Sequence, residues 1–256
     1  MDSFGFISVK EIEKLMDEDT FLICCILANN EIGTIQNIHE VSTLAKQHNV
    51  LVMSDCVQAF GKIPINVKEM GVDYATFSAH KLYGPKGVGG LYAKISSPLF
   101  PFIHGGHQEE GMRAGTESVH NIAGFGKACN QVNKQISYSN DIKLLKEHFI
   151  EQLKIVKPDI LVNSPSENCL SNTISVSLPD ISSRELMMML DYYGISVSSG
   201  SACSTQLNKP SHVLKAIGLS DKLADETIRI SLGKDTKKTD INYVIKIIVK
   251  YLKNIN

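Results

Sequence analysis

The chain has 256 residues, 43% of them hydrophobic, which is enough for one large or two modest globular domains with a true core. Its 26 basic and 27 acidic residues leave a formal net charge of −1, so nothing draws it to nucleic acid or to an anionic membrane. No apolar run approaches the roughly 18 residues of a spanning helix, and the opening MDSFGFISVKEIEKL lacks the basic-then-apolar build of a secretory signal, so the reading is a cytoplasmic protein.

Taken in chain order, Phe21–Leu27 (FLICCIL) is a continuous apolar run, as expected of a strand buried on both faces with Cys24 and Cys25 in the core. IHEVSTLAKQHN has helical spacing, with Ile38, Val41, Leu44 and Ala45 on one face. Val50–Asp55, Val72–Ala79 and the stretch VGGLYAK read as further strands. Strand, helix and strand in this rhythm predict an α/β fold with a mainly parallel sheet, whose ligands gather at the carboxyl ends of the strands. Asp55 lies at one such end, and Ser78, His80 and Lys81 lie at another.

From about Val119 to Leu153 the pattern is helical, broken by the polar SYSND at Ser137–Asp141. A domain boundary is expected there, giving domains over 1–136 and 137–256. The second half reads as a smaller α+β domain: strand NTISVSL, helix SRELMMMLDYY, strand ISVS, a loop rich in Ser and Gly, helix SHVLKAIG, strand TIRISL and a final helix TDINYVIKIIVKYLKN.

The six cysteines form no Cys-x-x-C pair, and His104 and His107 have no acidic or thiol partner at a suitable spacing, so no metal site is expected. Lys81 follows a hydroxyl and an imidazole in SAHKLYGPKGVGG, and Asp55 and Gln58 share the short run DCVQ. Pyridoxal phosphate needs such a lysine for its Schiff base and a carboxylate to keep its pyridine nitrogen protonated. On the residues alone, Lys81 also reads as a solvated surface cation and Asp55 as a turn residue. Cys203 lies among small residues in SSGSACSTQLNKP, where no regular element is expected, and on the residues alone reads first as a free thiol in a loop.

LANNEIGTIQNI, SDCVQAFGKIPINV, FSAHKLYGPKGVGGLY, GGHQEEGMRAGTESVHNIAGFGKA and SSGSACS occur in this order. Together they resemble the cysteine desulfurases of the NifS/IscS type, class-V aminotransferase relatives among the fold-type-I pyridoxal-phosphate enzymes. The resemblance runs over nearly the whole chain. It implies a partial fold-type-I large domain and a smaller C-terminal domain carrying the catalytic cysteine loop. It makes Lys81 the Schiff-base lysine, Asp55 the pyridinium partner and Gln58 the donor to the phenolic oxygen. Ser78 and His80 then match phosphate ligands, and Thr116 matches a threonine that reaches the phosphate of the other subunit in a homodimer. Asn30 and Arg229 match residues at the substrate carboxylate, and Cys203 matches the nucleophile that takes sulfur from L-cysteine as a persulfide, leaving L-alanine. A sulfur-acceptor protein such as an iron–sulfur scaffold is the implied partner.

The same resemblance implies an N-terminal region holding a phosphate-wrapping turn and a ring-stacking histidine. No Gly-Ala-Thr or Gly-Thr-Thr turn precedes Asn29, and no histidine precedes His39. The expectation is therefore a chain lacking the family's N-terminal portion. A catalytically incompetent desulfurase-like subunit and a selenocysteine lyase-like enzyme are the alternative readings.

Overall fold

Short apolar runs set the first sheet. In the computed structural model, which describes residues 1–199 and 210–255, β1 (Leu22–Ile26), β2 (Leu51–Asp55), β3 (Tyr74–Ser78) and β4 (Gly89–Ala93) hydrogen-bond in that order. β1, β2 and β3 are parallel, and β4 is antiparallel to β3. Helix Ile38–Gln47 lies in the crossover between β1 and β2, capped by the Asn37 side chain on the Glu40 amide. Its buried residues include Ile38, Val41, Leu44 and Ala45, the face that the sequence spacing indicates. These elements belong to a compact unit formed by Val9–Leu27 and Asn37–Ile136.

Successive strand residues point to opposite faces, and this sheet buries its faces unequally. Cys25, Ser54 and Ala75, in register across three strands, are buried. On the opposite face Cys24, in register with Met53, is exposed, and so is Leu91. The expectation of a strand buried on both faces therefore fails. β1 is an edge strand, Cys25 belongs to the core, and Cys24 does not.

The second unit comprises Met1–Ser8, Ala28–Gln36 and Ser137–Asn256. β5 (Leu161–Val162), β6 (Thr173–Ser177) and β7 (Thr227–Ser231) form its antiparallel sheet, with β6 central and buried throughout. Ile174 and Val176 join Phe149, Leu153, Leu186, Leu190, Ile228 and Ile248 in an apolar core drawn from β6, β7 and the helices Ser139–Val156, Ser183–Tyr192 and Lys238–Ile255. The alternate β6 residues are polar and find partners. The Ser177 hydroxyl lies 2.6 Å from that of Thr227, and the Ser175 amide donates to Ser164 Oγ at 3.0 Å.

Two segments that sequence reading assigns to the first domain pack with the second unit. Gln36 Nε2 donates to the Gly5 carbonyl at 2.6 Å, Thr34 Oγ1 donates to the Phe4 carbonyl at 2.5 Å, and the Ile35 amide donates to the Asn168 carbonyl at 2.7 Å. Ile32 packs with Leu214, Ile217 and Ala224. These bonds join residues far apart in the chain, so local pattern carries no sign of them. The expected strand ISVS reduces to a single bridge between Ser198 and Arg229. Among the described residues, no helix is long and apolar enough to cross a membrane.

Burial pushes the Cys25 and Cys56 thiols from the ordinary 9.0 up to about 11. The unfolded chain therefore gives up these protons first, so their stabilising contribution is complete below pH 9 and is lost as pH rises to about 11. Urea unfolding followed across that window should show falling stability, with a shallower fall in Cys25→Ala and Cys56→Ala chains. Iodoacetamide should modify Cys24 in the native chain well before either buried thiol.

Candidate active site

The carboxyl ends of β2 and β3 collect the polar residues of the first unit. β2 ends at Asp55, in register with Thr76 of β3, and Ser78 lies two residues further along. Strand alternation puts Asp55, Thr76 and Ser78 on one face and turns Cys56 into the core, where it is fully buried. Asp55 Oδ1 accepts the Val57 amide at 2.8 Å, which holds the chain in a turn as it leaves the strand. Gln58 follows in that turn. Its Oε1 accepts from Lys62 Nζ at 2.8 Å, and its amide nitrogen is left to donate elsewhere.

Beyond β3 the chain makes one tight turn, Ala79–Leu82. Ala79 and Leu82 are buried, while His80 and Lys81 between them are exposed. The turn is anchored at both apolar residues. The Ala79 amide donates to the Val88 carbonyl at 3.2 Å, and Gln135 Nε2 donates to the Leu82 carbonyl at 3.3 Å. Gly61 leaves room for Leu82, since a Cβ there would lie 2.3 Å from Leu82 Cδ2. Ser78 Oγ and His80 Nδ1 are hydrogen-bonded at 2.8 Å.

This donor set fits pyridoxal phosphate. Among the described residues Lys81 Nζ makes no hydrogen bond or ion pair, so its amine is open to an aldehyde carbon. Asp55 keeps a carboxylate oxygen beyond the one used by Val57, suited to a pyridine N–H. The Ser78–His80 pair offers a hydroxyl and a ring nitrogen to a phosphate, and Gln58 offers its amide to a phenolic oxygen. Thr116 sits on an exposed loop ahead of helix Val119–Cys129.

In the second unit the structure brings Asn30 and Arg229 together. Arg229, on β7, donates from Nη1 to the Asn30 carbonyl at 3.1 Å. Asn30 lies in a turn built by Asn29, whose Oδ1 accepts the Glu31 and Ile32 amides at 2.8 and 3.0 Å. Gly33 takes a φ of +82°, and a Cβ there would lie 2.9 Å from Cys169 Sγ. Cys203 lies outside the described residues. Glu31 beside Asn30 is buried against Ser211, 180 residues away, and its local sequence carries no sign of that burial.

The family described as aminotransferase class-V matches residues 1–244. The chain is 40% identical to cysteine desulfurase IscS of Dictyoglomus turgidum, over 100% of its own length and 65% of that relative. It is 39% identical to cysteine desulfurase IscS of Clostridium botulinum strain Hall, over 99% of its own length and 64% of that relative. Its fold superposes on that of a NifS-like protein with a TM-score of 0.90 at 39% identity, covering 99% of this chain and 67% of the other. The chain thus spans just under two thirds of the curated relatives it matches.

Treatment of the full chain with pyridoxal phosphate and then borohydride should fix the cofactor covalently to Lys81. Peptide mass mapping checks this; a label on Lys62 or Lys86 instead would remove Lys81 from the role.

Proposed function

Since the chain belongs to the class-V aminotransferase family, whose members use pyridoxal phosphate, we propose that it is a cysteine desulfurase. It would take sulfur from L-cysteine as a persulfide on Cys203, release L-alanine, and pass the sulfur to an acceptor protein for iron–sulfur cluster or thio-cofactor synthesis. The observation that carries this reading is the open amine of Lys81, projected from the end of β3 next to Ser78 and His80, with Asp55 at the neighbouring strand end. The 40% identity to a relative named cysteine desulfurase IscS supports it.

The roles follow from the chemistry of each side chain. Lys81 Nζ would hold the cofactor's aldehyde carbon, the Asp55 carboxylate would keep the proton on the ring nitrogen, and Gln58 would donate to the phenolic oxygen. Ser78, His80 and Thr116 of a partner subunit in a homodimer would hold the phosphate. Pyridoxal phosphate, when bound, draws electron density from the substrate carbon skeleton and so weakens its bond to sulfur. Arg229 suits the substrate carboxylate because a planar guanidinium pairs with it through two parallel hydrogen bonds, and Asn30 lies beside it. The Cys203 thiolate attacks the substrate sulfur. An S–S bond forms, the C–S bond breaks, and its electron pair stays with the substrate carbon, which takes up a proton to give alanine. No external oxidant or reductant is needed.

The test is incubation of the full chain with pyridoxal phosphate and L-cysteine, reading alanine and persulfide. Cys203→Ser should abolish persulfide formation and leave the cofactor absorbance intact. A serine chain that still formed alanine and sulfide at the parent rate would exclude Cys203 as nucleophile, and a parent chain that bound cofactor but released no alanine would overturn the desulfurase reading. Arg229→Lys should raise KM for L-cysteine by roughly ten-fold or more, because an ammonium cannot make both bonds of the fork and a hydrogen bond between charged groups contributes about 1.5–3 kcal/mol. Initial-rate kinetics check this.

A further inference from the structure

Gln58 ends in a carboxamide, whose oxygen only accepts hydrogen bonds and whose nitrogen only donates them. A half-turn about the last side-chain bond exchanges the two at nearly the same volume, so packing alone does not choose between them. Toward a phenolic oxygen carrying negative charge the choice is decisive: the nitrogen attracts it and the carbonyl repels it. Whatever fixes the flip of this amide therefore fixes whether Gln58 can serve the role proposed for it.

Lys62 makes that choice. Its Nζ stands 2.8 Å from Gln58 Oε1. An ammonium has three donors and no acceptor, so the atom facing it must be the carbonyl oxygen, and Nε2 is turned away from it. The spacing is set by the main chain. The Phe60 amide donates to the Cys56 carbonyl at 2.9 Å and the Ile63 amide to the Ala59 carbonyl at 3.1 Å, which coils the segment and brings residues four apart onto one side. Gly61, with a φ of +79°, lies in the same coil, and a Cβ there would stand 2.3 Å from Leu82 Cδ2 and 2.9 Å from Gln135 Oε1. The coil that carries Gln58 and Lys62 thus packs directly against the turn that presents Lys81.

We propose that Lys62 is a positioning residue: by donating to Gln58 Oε1 it sets the carboxamide with Nε2 free to donate to the phenolic oxygen of pyridoxal phosphate. What Gln58 does toward that oxygen rests on the proposed function, whereas the bond between Lys62 and Gln58 does not. The consequence is a site whose donor is pre-set before the cofactor arrives, and which tells a ring bearing the phenolic oxygen from one that lacks it.

The experiment titrates the full chain with two ligands, pyridoxal phosphate and its 3-deoxy analogue, which keeps the aldehyde, the ring nitrogen and the phosphate but lacks the phenolic oxygen. The variants are Lys62→Met, Lys62→Arg, Lys62→Glu, Gln58→Ala and Gln58→Ala with Lys62→Met. Lys62→Met should weaken binding of pyridoxal phosphate by roughly two- to ten-fold, the span of one net hydrogen bond, and leave the analogue unchanged. Lys62→Arg, again a donor without an acceptor, should restore the parent affinity. Lys62→Glu, which accepts from Nε2 and so reverses the flip, should discriminate against pyridoxal phosphate more strongly than Lys62→Met. In the Gln58→Ala background, Lys62→Met should change nothing further. The pH midpoint of the bound cofactor's visible absorbance should also rise in Lys62→Met, because a donor to the phenolic oxygen favours its ionised form and the loss of that donor holds a shared proton to higher pH. Equal losses for both ligands, an arginine chain as impaired as the methionine one, or an undiminished effect in the Gln58→Ala background would each overturn the proposal. A parent chain that binds neither ligand counts against the cofactor reading alone. The Gln58 side-chain amide signals in the ¹⁵N NMR spectrum of the unliganded chain then decide on the orienting bond: they should move in Lys62→Met and hold in Lys62→Arg, and signals unmoved in both would overturn it.

Discussion

Parallel pairing of β2 with β3, with Asp55 set opposite Thr76, is the constraint on which the proposed cofactor residues depend. Side chains alternate with a period of two, so a slip of one residue would turn Asp55 into the buried face and push Cys56 out. The apolar neighbours prevent that slip. Val52, Cys56 and Ala75 are buried almost completely, and exposing them would forfeit their hydrophobic contribution. The carboxylate therefore stays on the solvated face because the residues beside it are held in the core.

The same logic places the lysine. Ala79 and Leu82 are buried, and in a tight turn the two residues between them have nowhere to go but out. His80 and Lys81 are exposed as a consequence of their neighbours' burial. Gly61 and Gly84 make this possible from outside the turn. A Cβ on Gly61 would run into Leu82, and one on Gly84 would lie 2.9 Å from the Ala79 carbonyl oxygen. The Lys81 amine is presented by apolar anchoring, with no polar partner of its own among the described residues.

In the second unit polar groups take over the positioning. β7 carries Arg229, and the turn from Asn29 to Thr34, held by its own hydrogen bonds, carries Asn30, whose carbonyl accepts from the Arg229 side chain. Polar tethers of this kind are costly to bury and specific in direction, and they suit residues proposed to meet a charged ligand at a set place. Glu31 belongs to this group, as a carboxylate the core would not otherwise tolerate.

Much of the fold was legible because it is periodic. The buried face of helix Ile38–Gln47 and the apolar runs of β2, β3, β6 and β7 follow from spacing that any reader of the chain can count. Chemistry-bearing residues at strand ends were legible too, since Asp55, Ser78 and Lys81 follow apolar runs immediately. Which neighbours cover those runs was not. FLICCIL has the composition of a fully buried strand, yet β1 lies at the sheet edge with Cys24 exposed, because coverage depends on what packs against it from elsewhere in the chain. ISVS has strand-like residues but finds a partner only at Ser198, opposite Arg229. By itself, then, the sequence determined the periodic elements and the kinds of side chain at their ends, which are properties of neighbouring residues. Only tertiary structure decided that Met1–Ser8 and Ala28–Gln36 pack with the C-terminal half, that Asn30 meets Arg229, and that Glu31 is buried against Ser211. These are pairings between residues up to 199 positions apart, settled by which donors and acceptors remain to be satisfied once the core has formed.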